Sequence, residues 1–132
     1  MPIIYSVETN ISSDEFIAIL QRSGLSERRP VNEPDRILKM IDNANLIITA
    51  RDREQLVGIA RSLTDFSFIC YLSDLAVDKG YQGKGIGRQL MKLTKEYAKC
   101  RSILLSAPAA MDYYQHSGLE RLDNAFDFSQ IT

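Results

Sequence analysis

The sequence has 132 residues, of which 45% are hydrophobic and 25% charged, as is usual for one folded domain. Sixteen basic residues oppose seventeen acidic ones, and neither sign forms a long block. This balance argues against nucleic acid or an anionic membrane as a partner, so any anion must be recognised locally. We predict a single domain over residues 1–132.

Cys70 and Cys100 are the only cysteines, and they lack the spacing of a metal site. No bound metal is therefore predicted. The sequence also shows no secretory signal and no apolar run near the ~20 residues of a membrane-spanning helix. These features predict a cytoplasmic protein with both cysteines reduced, although the sequence leaves one disulfide open.

The first third of the chain predicts one strand and two helices. A strand over residues 3–8 precedes a helix that begins after Ser12, which has capping-box spacing to Glu15, and ends at Gly24. A polar loop follows, and Pro34 suits the first turn of the second helix. The predicted inward-facing residues are Phe16, Ile19 and Leu20 in the first helix and Ile37, Leu38, Ile41 and Ala44 in the second.

The middle of the chain predicts an antiparallel meander of three strands, over residues 46–50, 56–63 and 66–77. An amphipathic helix over residues 85–100 and an apolar strand over residues 102–107, covered on both faces, then complete a strand–helix–strand unit. The predicted inward face of this helix consists of Ile86, Leu90, Leu93 and Tyr97.

The last part of the chain predicts a short helix over residues 110–117 and one or two strands within residues 119–128. Together these elements predict a mixed α/β (α+β) fold. Its central sheet should be mostly antiparallel, flanked by helices, and contain one parallel strand pair.

A glycine-rich turn between a strand and a helix is the most informative segment. Gly83, Gly85 and Gly87 let the backbone approach an anion closely, and the N–H groups at a helix start attract phosphate. Lys84 and Arg88 can add positive charge. Neither the Walker spacing nor the dinucleotide-binding spacing of glycines fits this turn.

Another phosphate-binding pattern, Gln/Arg-x-x-Gly-x-Gly/Ala, does fit, as Gln82-Gly83-Lys84-Gly85-Ile86-Gly87. With the preceding Leu75-Ala76-Val77 run, this segment closely resembles the signature of the GNAT acetyltransferase superfamily. The downstream run Tyr113-Tyr114-Gln115-His116-Ser117-Gly118-Leu119 resembles the second motif of that family, Phe-Tyr-x-x-x-Gly-Phe. The order of the predicted elements also matches the family, although the asparagine often found upstream of the tyrosine is absent.

The resemblance implies acetyl-CoA as co-substrate and a primary amine as acceptor. The strand before the loop would pair with the pantetheine arm, and the loop would bind the pyrophosphate. The strand after the helix would splay away from the first and open a wedge for the cofactor. The predicted cofactor-binding residues are Leu75, Ala76, Val77, Gln82, Gly83, Lys84, Gly85, Ile86, Gly87, Arg88 and Tyr114.

Two residues are candidates for the chemistry that the resemblance implies. Tyr114 matches the family tyrosine that protonates the departing sulfur, and a phenol of pKa ~10 suits that task. Asp74 is a candidate base for the amine, but it fits equally well a carboxylate that orders a strand bulge. Tyr71 and Ser73 offer a relay through water instead.

Other polar residues are assigned to the surface or to packing. His116 and the arginines Arg28, Arg29 and Arg36 are predicted to lie in solvent, although the loop beside these arginines often shapes the acceptor site in this family. Tyr113 should pack rather than react. Because the segment after residue 118 is short, we expect a second subunit to complete part of the acceptor cleft, as in a homodimer.

The acceptor itself stays open between two classes. The favoured one is a primary amine of a small molecule, and the alternative is a protein N-terminus or lysine. A non-catalytic acyl-CoA-binding module is a third possibility, disfavoured because Tyr114 accompanies an intact loop.

Overall fold

The computed structural model describes residues 2–132 and contains one five-stranded sheet with helices on both faces. In spatial order, which is also chain order, the strands are β1 (Ile3–Val7), β2 (Leu46–Asp52), β3 (Gln55–Thr64), β4 (Ile69–Val77) and β5 (Arg101–Leu104). The helices are α1 (Ser13–Ser23), α2 (Pro34–Asp42), α3 (Ile86–Ala98) and α4 (Met111–His116). Strands β1 to β4 pair antiparallel and β4 pairs with β5 in parallel, which confirms the predicted mixed sheet.

Each face of the sheet has its own apolar core. Helices α1 and α2 cover one face, and α3 covers the other, so residues that alternate along a strand enter different cores. The first core consists of Ile11, Phe16, Ile19, Leu20, Ile37, Ile41, Ile47, Leu56, Ile59 and Ala76. The second consists of Leu46, Ile48, Ala50, Val57, Ala60, Cys70, Leu72, Ile86, Leu90 and Ala98.

The ends of α1 follow the local signals in the sequence. The Ser12 side chain accepts a hydrogen bond from the N–H of Glu15 at 3.1 Å, as an N-cap does. Gly24 ends the helix with a φ of 87°, in the left-handed region that glycine adopts without strain. Both predicted ends are confirmed.

A bulge in β4 reverses the faces of its side chains. Arg61 pairs with Asp74 but Ser62 pairs with Leu72, so Ser73 is an extra residue in β4. Leu72 therefore faces the core under α3, whereas Asp74, only two residues later, faces the side covered by α1 and α2.

The pairing of β4 with β5 stops at this bulge. Only four residue pairs join the two strands, and the last is Leu72 with Leu104. Leu75, Ala76 and Val77 stay paired with β3 but have no strand on their other side. The predicted splayed parallel pair is confirmed, and the opening begins beside Ser73.

The strand predicted over residues 66–77 begins later, at Ile69. The Asp65 carboxylate accepts hydrogen bonds from the N–H groups of Ser67, Phe68 and Ile69, and these bonds form a turn before the strand. Phe68 is consequently 80% exposed rather than packed.

Two of the predicted inward-facing residues lie outside. Leu38 on α2 is 47% exposed and Tyr97 on α3 is 52% exposed. On α3 the buried face continues through Thr94 and Ala98 instead, because the helix contacts the sheet along the i, i+4 row from Leu90.

The end of the chain also differs from the prediction. Strand β5 spans Arg101–Leu104 rather than residues 102–107, and none of its four residues is fully buried, so this strand is not covered on both faces. No strand forms in residues 119–128. Asp123, Asn124 and Asp127 interrupt that segment, and such residues favour turns over strands.

Candidate active site

The open edge of β4 forms one wall of the candidate site. Beyond the bulge, the backbone of Leu75–Val77 faces the gap left by β5. A backbone edge without a strand partner can pair with an extended ligand, as a peptide does in strand addition. The residues predicted to contact pantetheine therefore have this edge available.

The glycine-rich loop forms the end of the site. Gly83 and Gly85 have φ of 80° and 83°, and apart from the adjoining residues no atom lies within 4 Å of where a β-carbon would stand on either. Gly85 is the N-cap of α3 and makes no side-chain cap, and the first turn carries no acidic residue. The helix N–H groups are thus left for an anion, and the space is open where side chains on Gly83 and Gly85 would stand.

Several contacts hold this loop in place. Gln82 donates from its side-chain amide to the carbonyl of Val77 at 2.9 Å. The Tyr81 hydroxyl donates to Asp52 at 2.6 Å, and the Lys84 ammonium lies 5.3 Å from the centre of the Tyr81 ring. The loop is therefore ordered from both sides, with Lys84 beside the predicted phosphate position.

The sequence did not single out the ion pair at the start of this loop. Arg22 on α1 donates to the Asp78 carboxylate at 2.9 Å, and the other Asp78 oxygen accepts from the Gly80 N–H at 2.8 Å. Asp78 is the N-cap of the short turn Lys79–Tyr81. The sequence signal that could have identified Asp78 is its position as an acidic residue directly after an apolar strand.

Helix α4 lies over the start of α3. The Tyr113 hydroxyl lies against Gly87, and Arg88 donates to the carbonyl of Ser117 at 2.6 Å. The structure therefore brings the two sequence motifs, the loop and the tyrosine pair, to the same end of the sheet.

Tyr114, in the same helix, is half-buried. Burial raises the pKa of its phenol above the ordinary value, and the nearby Tyr113 adds to the increase. The positive charge of Arg29 acts on Tyr114 in the opposite direction. The phenol is thus protonated at neutral pH, as a proton donor must be.

Asp74 is fully buried, and arginines occupy both of its oxygens. Arg29 donates from Nε to one oxygen, and Arg61 donates from Nε to the other. Arg29 also donates to the Ser73 carbonyl at 2.9 Å, and Arg61 donates to the Ser73 hydroxyl at 3.0 Å. We call Arg29, Arg61, Ser73 and Asp74 the bulge cluster.

The bulge cluster corrects the prediction for Arg29 and contains a second arginine, Arg61, that the sequence analysis did not name. Arg29 was predicted to lie in solvent, but its charge is paired with Asp74 and only 22% of its side chain is exposed. Sequence reasoning missed Arg61. Its position inside a strand of apolar residues was the available signal, because a charge there requires a buried partner.

The remaining predicted surface residues lie where they were expected. Arg28 and Arg36 are exposed, and a guanidinium nitrogen of Arg36 is 3.5 Å from a carboxylate oxygen of Glu33. His116 is exposed, and its Nδ1 is 2.7 Å from the carbonyl of Asp112. Tyr113 packs edge-on against Tyr114, with ring centres 5.1 Å apart.

Cys70 and Cys100 are both free, so no disulfide joins them. Within residues 2–132, no group of three or more His, Cys, Asp or Glu side chains is arranged to hold a metal ion. No helix in the described part of the chain is long and apolar enough to span a bilayer.

Residues 20–132 match the family described as "Acetyltransferase (GNAT) domain". The chain therefore belongs to the GNAT acetyltransferase family, as the loop and tyrosine motifs indicated.

A sequence relative is the "Uncharacterized N-acetyltransferase ycf52-like" of Prochlorococcus marinus. It is 28% identical over 123 residues, which cover 87% of this chain and 66% of the relative. The chain thus spans about two thirds, or less, of the length of the curated relatives it matches.

Two solved structures share the fold. One is a probable acetyltransferase from methicillin-resistant Staphylococcus aureus, with a TM-score of 0.76, 20% identity and 93% of each chain covered. The other is AAC(6')-Iy in complex with the bisubstrate analogue CoA-S-monomethyl-acetylneamine. Its TM-score is 0.73 and its identity 12%, with 96% of this chain and 97% of that chain covered.

Proposed function

We propose that this protein transfers an acetyl group from acetyl-CoA to a primary amine, with a small molecule as the favoured acceptor. One observation carries the proposal. The unpaired edge of β4, beyond the bulge at Ser73, leads to a helix start that has no side-chain cap and has open space at Gly83 and Gly85. An extended thioester arm that ends in a pyrophosphate has the shape and charge for these two surfaces.

Each part of acetyl-CoA, the acetyl donor, is assigned to the residues that would bind it. Backbone groups of Leu75, Ala76 and Val77 pair with the pantetheine amides, since they have no strand partner on that side. N–H groups from Gly83 to Arg88 bind the pyrophosphate, with Lys84 adding a charge. Gln82 holds the loop against Val77, and Ile86 fixes the helix start in the core.

Tyr114 is assigned the role of general acid. The amine nitrogen first bonds to the acetyl carbon to give a tetrahedral oxyanion, and when the C–S bond then breaks, Tyr114 donates its phenolic proton to the departing sulfur. Its raised pKa keeps the proton in place until the thiolate develops. Backbone N–H groups near Leu75 stabilise the oxyanion of the tetrahedral intermediate.

The group that removes the proton from the acceptor amine is less directly indicated than the general acid. Asp74 as general base stays a prediction, but its two oxygens already accept from Arg29 and Arg61. This arrangement supports the alternative role, a carboxylate that orders the bulge. A water relay past Ser73 or Tyr71 then takes the proton from the amine.

Two considerations bear on the acceptor and the cellular location. AAC(6')-Iy, which shares the fold, has been solved with a CoA–neamine conjugate, and this motivates a small-molecule amine as acceptor. Two free cysteines agree with the reducing cytoplasm that the sequence predicted. The homodimer stays a prediction that light scattering tests.

The decisive experiment is turnover of acetyl-CoA with three groups of acceptors, followed by release of free thiol. The groups are small primary amines, peptides with a free N-terminus, and peptides with an internal lysine. We expect small amines to react well above the rate in buffer alone. Reaction of the peptides only would favour a protein acceptor, and tight binding of acetyl-CoA without any turnover would indicate a non-catalytic module.

A further inference from the structure

The loop between α1 and α2 is joined to the bulge of β4 through one side chain. Arg29 lies in this loop (residues 24–33) and donates to the Asp74 carboxylate, to the carbonyl of Ser73 at 2.9 Å, and to the carbonyl of Arg28 at 2.8 Å. All three nitrogens of its guanidinium are therefore engaged, two of them across the gap to β4.

The bulge cluster is also tied to α2 and β3. Arg61 donates to the carbonyl of Met40 on α2 at 2.9 Å, while its other nitrogens contact Asp74 and Ser73. The cluster thus connects four segments of the chain at the residue where β4 and β5 separate. That point lies beside the open edge of β4 assigned to the thioester arm.

The charges in the cluster do not balance. Two arginines share one carboxylate, which leaves one positive charge in excess. Within residues 2–132, neither arginine has a second carboxylate at salt-bridge distance. Asp74 is fully buried and Arg61 nearly so, so solvent screens this excess charge weakly.

We propose that Arg29 is a positioning residue for acetyl transfer, which fixes the α1–α2 loop on the bulge of β4 and holds the excess positive charge beside the reacting thioester. The inference deepens the proposed function and rests on it. A positive charge fixed near the carbonyl favours the oxyanion that forms during the reaction. The effect of Arg29 on the phenol of Tyr114 agrees with this location.

Three variants separate the two parts of the proposal. Arg29→Gln removes the charge but keeps an N–H donor, and Arg29→Lys keeps the charge but loses the fork of the guanidinium. Arg28→Gln is the matched control, because the Arg28 side chain is exposed and only its carbonyl contacts Arg29. The measurements are hydrogen exchange of the α1–α2 loop amides, kcat and KM for both substrates, and thermal unfolding.

We expect Arg29→Gln to raise exchange in the loop about tenfold or more. Its kcat should fall about tenfold or more while KM for acetyl-CoA stays within about threefold, since a transition-state charge is lost. Arg29→Lys should recover much of kcat but not the slow exchange, and Arg28→Gln should change neither. If Arg29→Gln does not fold, the exchange and kinetics of Arg29→Lys decide the positioning role.

Unchanged loop exchange in the Arg29 variants would overturn the positioning role, whatever the activity. Faster exchange with an unchanged kcat would overturn the importance of Arg29 for the reaction. An Arg29→Lys variant with a kcat as low as that of Arg29→Gln would overturn the charge effect. A wild-type protein without turnover on any amine would instead refute the proposed function. The exchange data would still decide whether Arg29 holds the loop.

Discussion

The hydroxyl oxygen of Tyr113 lies 2.7 Å from the point where a β-carbon on Gly87 would stand. Gly87 is buried in the first turn of α3, and Tyr113 belongs to α4, 26 positions later in the sequence. A methyl group does not fit at this distance while the tyrosine keeps its position. The absence of a side chain at residue 87 therefore lets α4 lie directly over the start of α3.

This contact predicts that substitutions at the two positions are coupled. Alanine is favoured over glycine within a helix by about 1 kcal/mol, so Gly87→Ala should stabilise the protein once the hydroxyl is removed. Without the oxygen, the nearest Tyr113 ring atom, Cζ, is 3.7 Å from the added carbon. We expect Gly87→Ala to stabilise the Tyr113→Phe protein but not the wild type, with a coupling of at least ~0.5 kcal/mol in urea unfolding.

Gly83→Ala is the control for this cycle. Gly83 has a φ of 80° and open space around it, so alanine there should cost about 1–2 kcal/mol in backbone strain. That cost should be the same with tyrosine or phenylalanine at position 113. Equal effects of Gly87→Ala in both backgrounds would contradict the contact.

The second prediction concerns the donor. Gly85→Glu should weaken acetyl-CoA binding by at least about tenfold in calorimetry, because a carboxylate at the helix start competes with the pyrophosphate for the same N–H groups. Gly85→Ala has the same positive-φ strain without the charge or the bulk, and it should bind acetyl-CoA more tightly than the glutamate variant. Unchanged affinity in Gly85→Glu would exclude this loop as the pyrophosphate site.

The third prediction concerns Tyr114. Tyr114→Phe should lower kcat by about 10–1000-fold with little change in acetyl-CoA affinity, because only a proton donor is lost. Tyr113→Phe, next to it, should retain most of the activity. A Tyr114→Phe enzyme as fast as the wild type would make this residue a packing residue.

The raised pKa of Tyr114 also sets the sign of a pH effect. The buried phenol stabilises the fold while it is neutral, so this contribution is fully present below the unfolded pKa of about 10 and is lost as the pH rises through the higher folded pKa. Activity that requires the protonated phenol should persist above pH ~10 for the same reason. A rate that already falls as the pH rises through neutrality would contradict the assignment of Tyr114 as the proton donor.

The fourth prediction separates the two roles of Asp74. Asp74→Asn removes the negative charge between Arg29 and Arg61 and should lower the free energy of unfolding by about 3–5 kcal/mol, as is usual when one partner of a buried ion pair is lost. The pH dependence of the remaining activity should keep its shape. Activity that is lost at pH 7 and returns at high pH would instead identify Asp74 as the base.

Much of the geometry of the glycine-rich loop was determined by the sequence alone, because its features are local. The glycines at 83 and 85 can adopt positive φ without strain, and the spacing from Gln82 to Gly87 lies within a single turn and helix start. The cap at Ser12 and the helix end at Gly24 are local for the same reason. Such signals depend on the chain within a few residues of each position.

The tertiary structure decided what surrounds Asp74. The single-residue bulge at Ser73 turns Asp74 toward Arg29 and Arg61, which are 45 and 13 residues away in the sequence. Alternation along a strand cannot reveal this, because an extra residue reverses the side that every following side chain faces. The partners of a buried charge depend on which segments the fold brings together, so the sequence left Asp74 open between a base and a structural carboxylate.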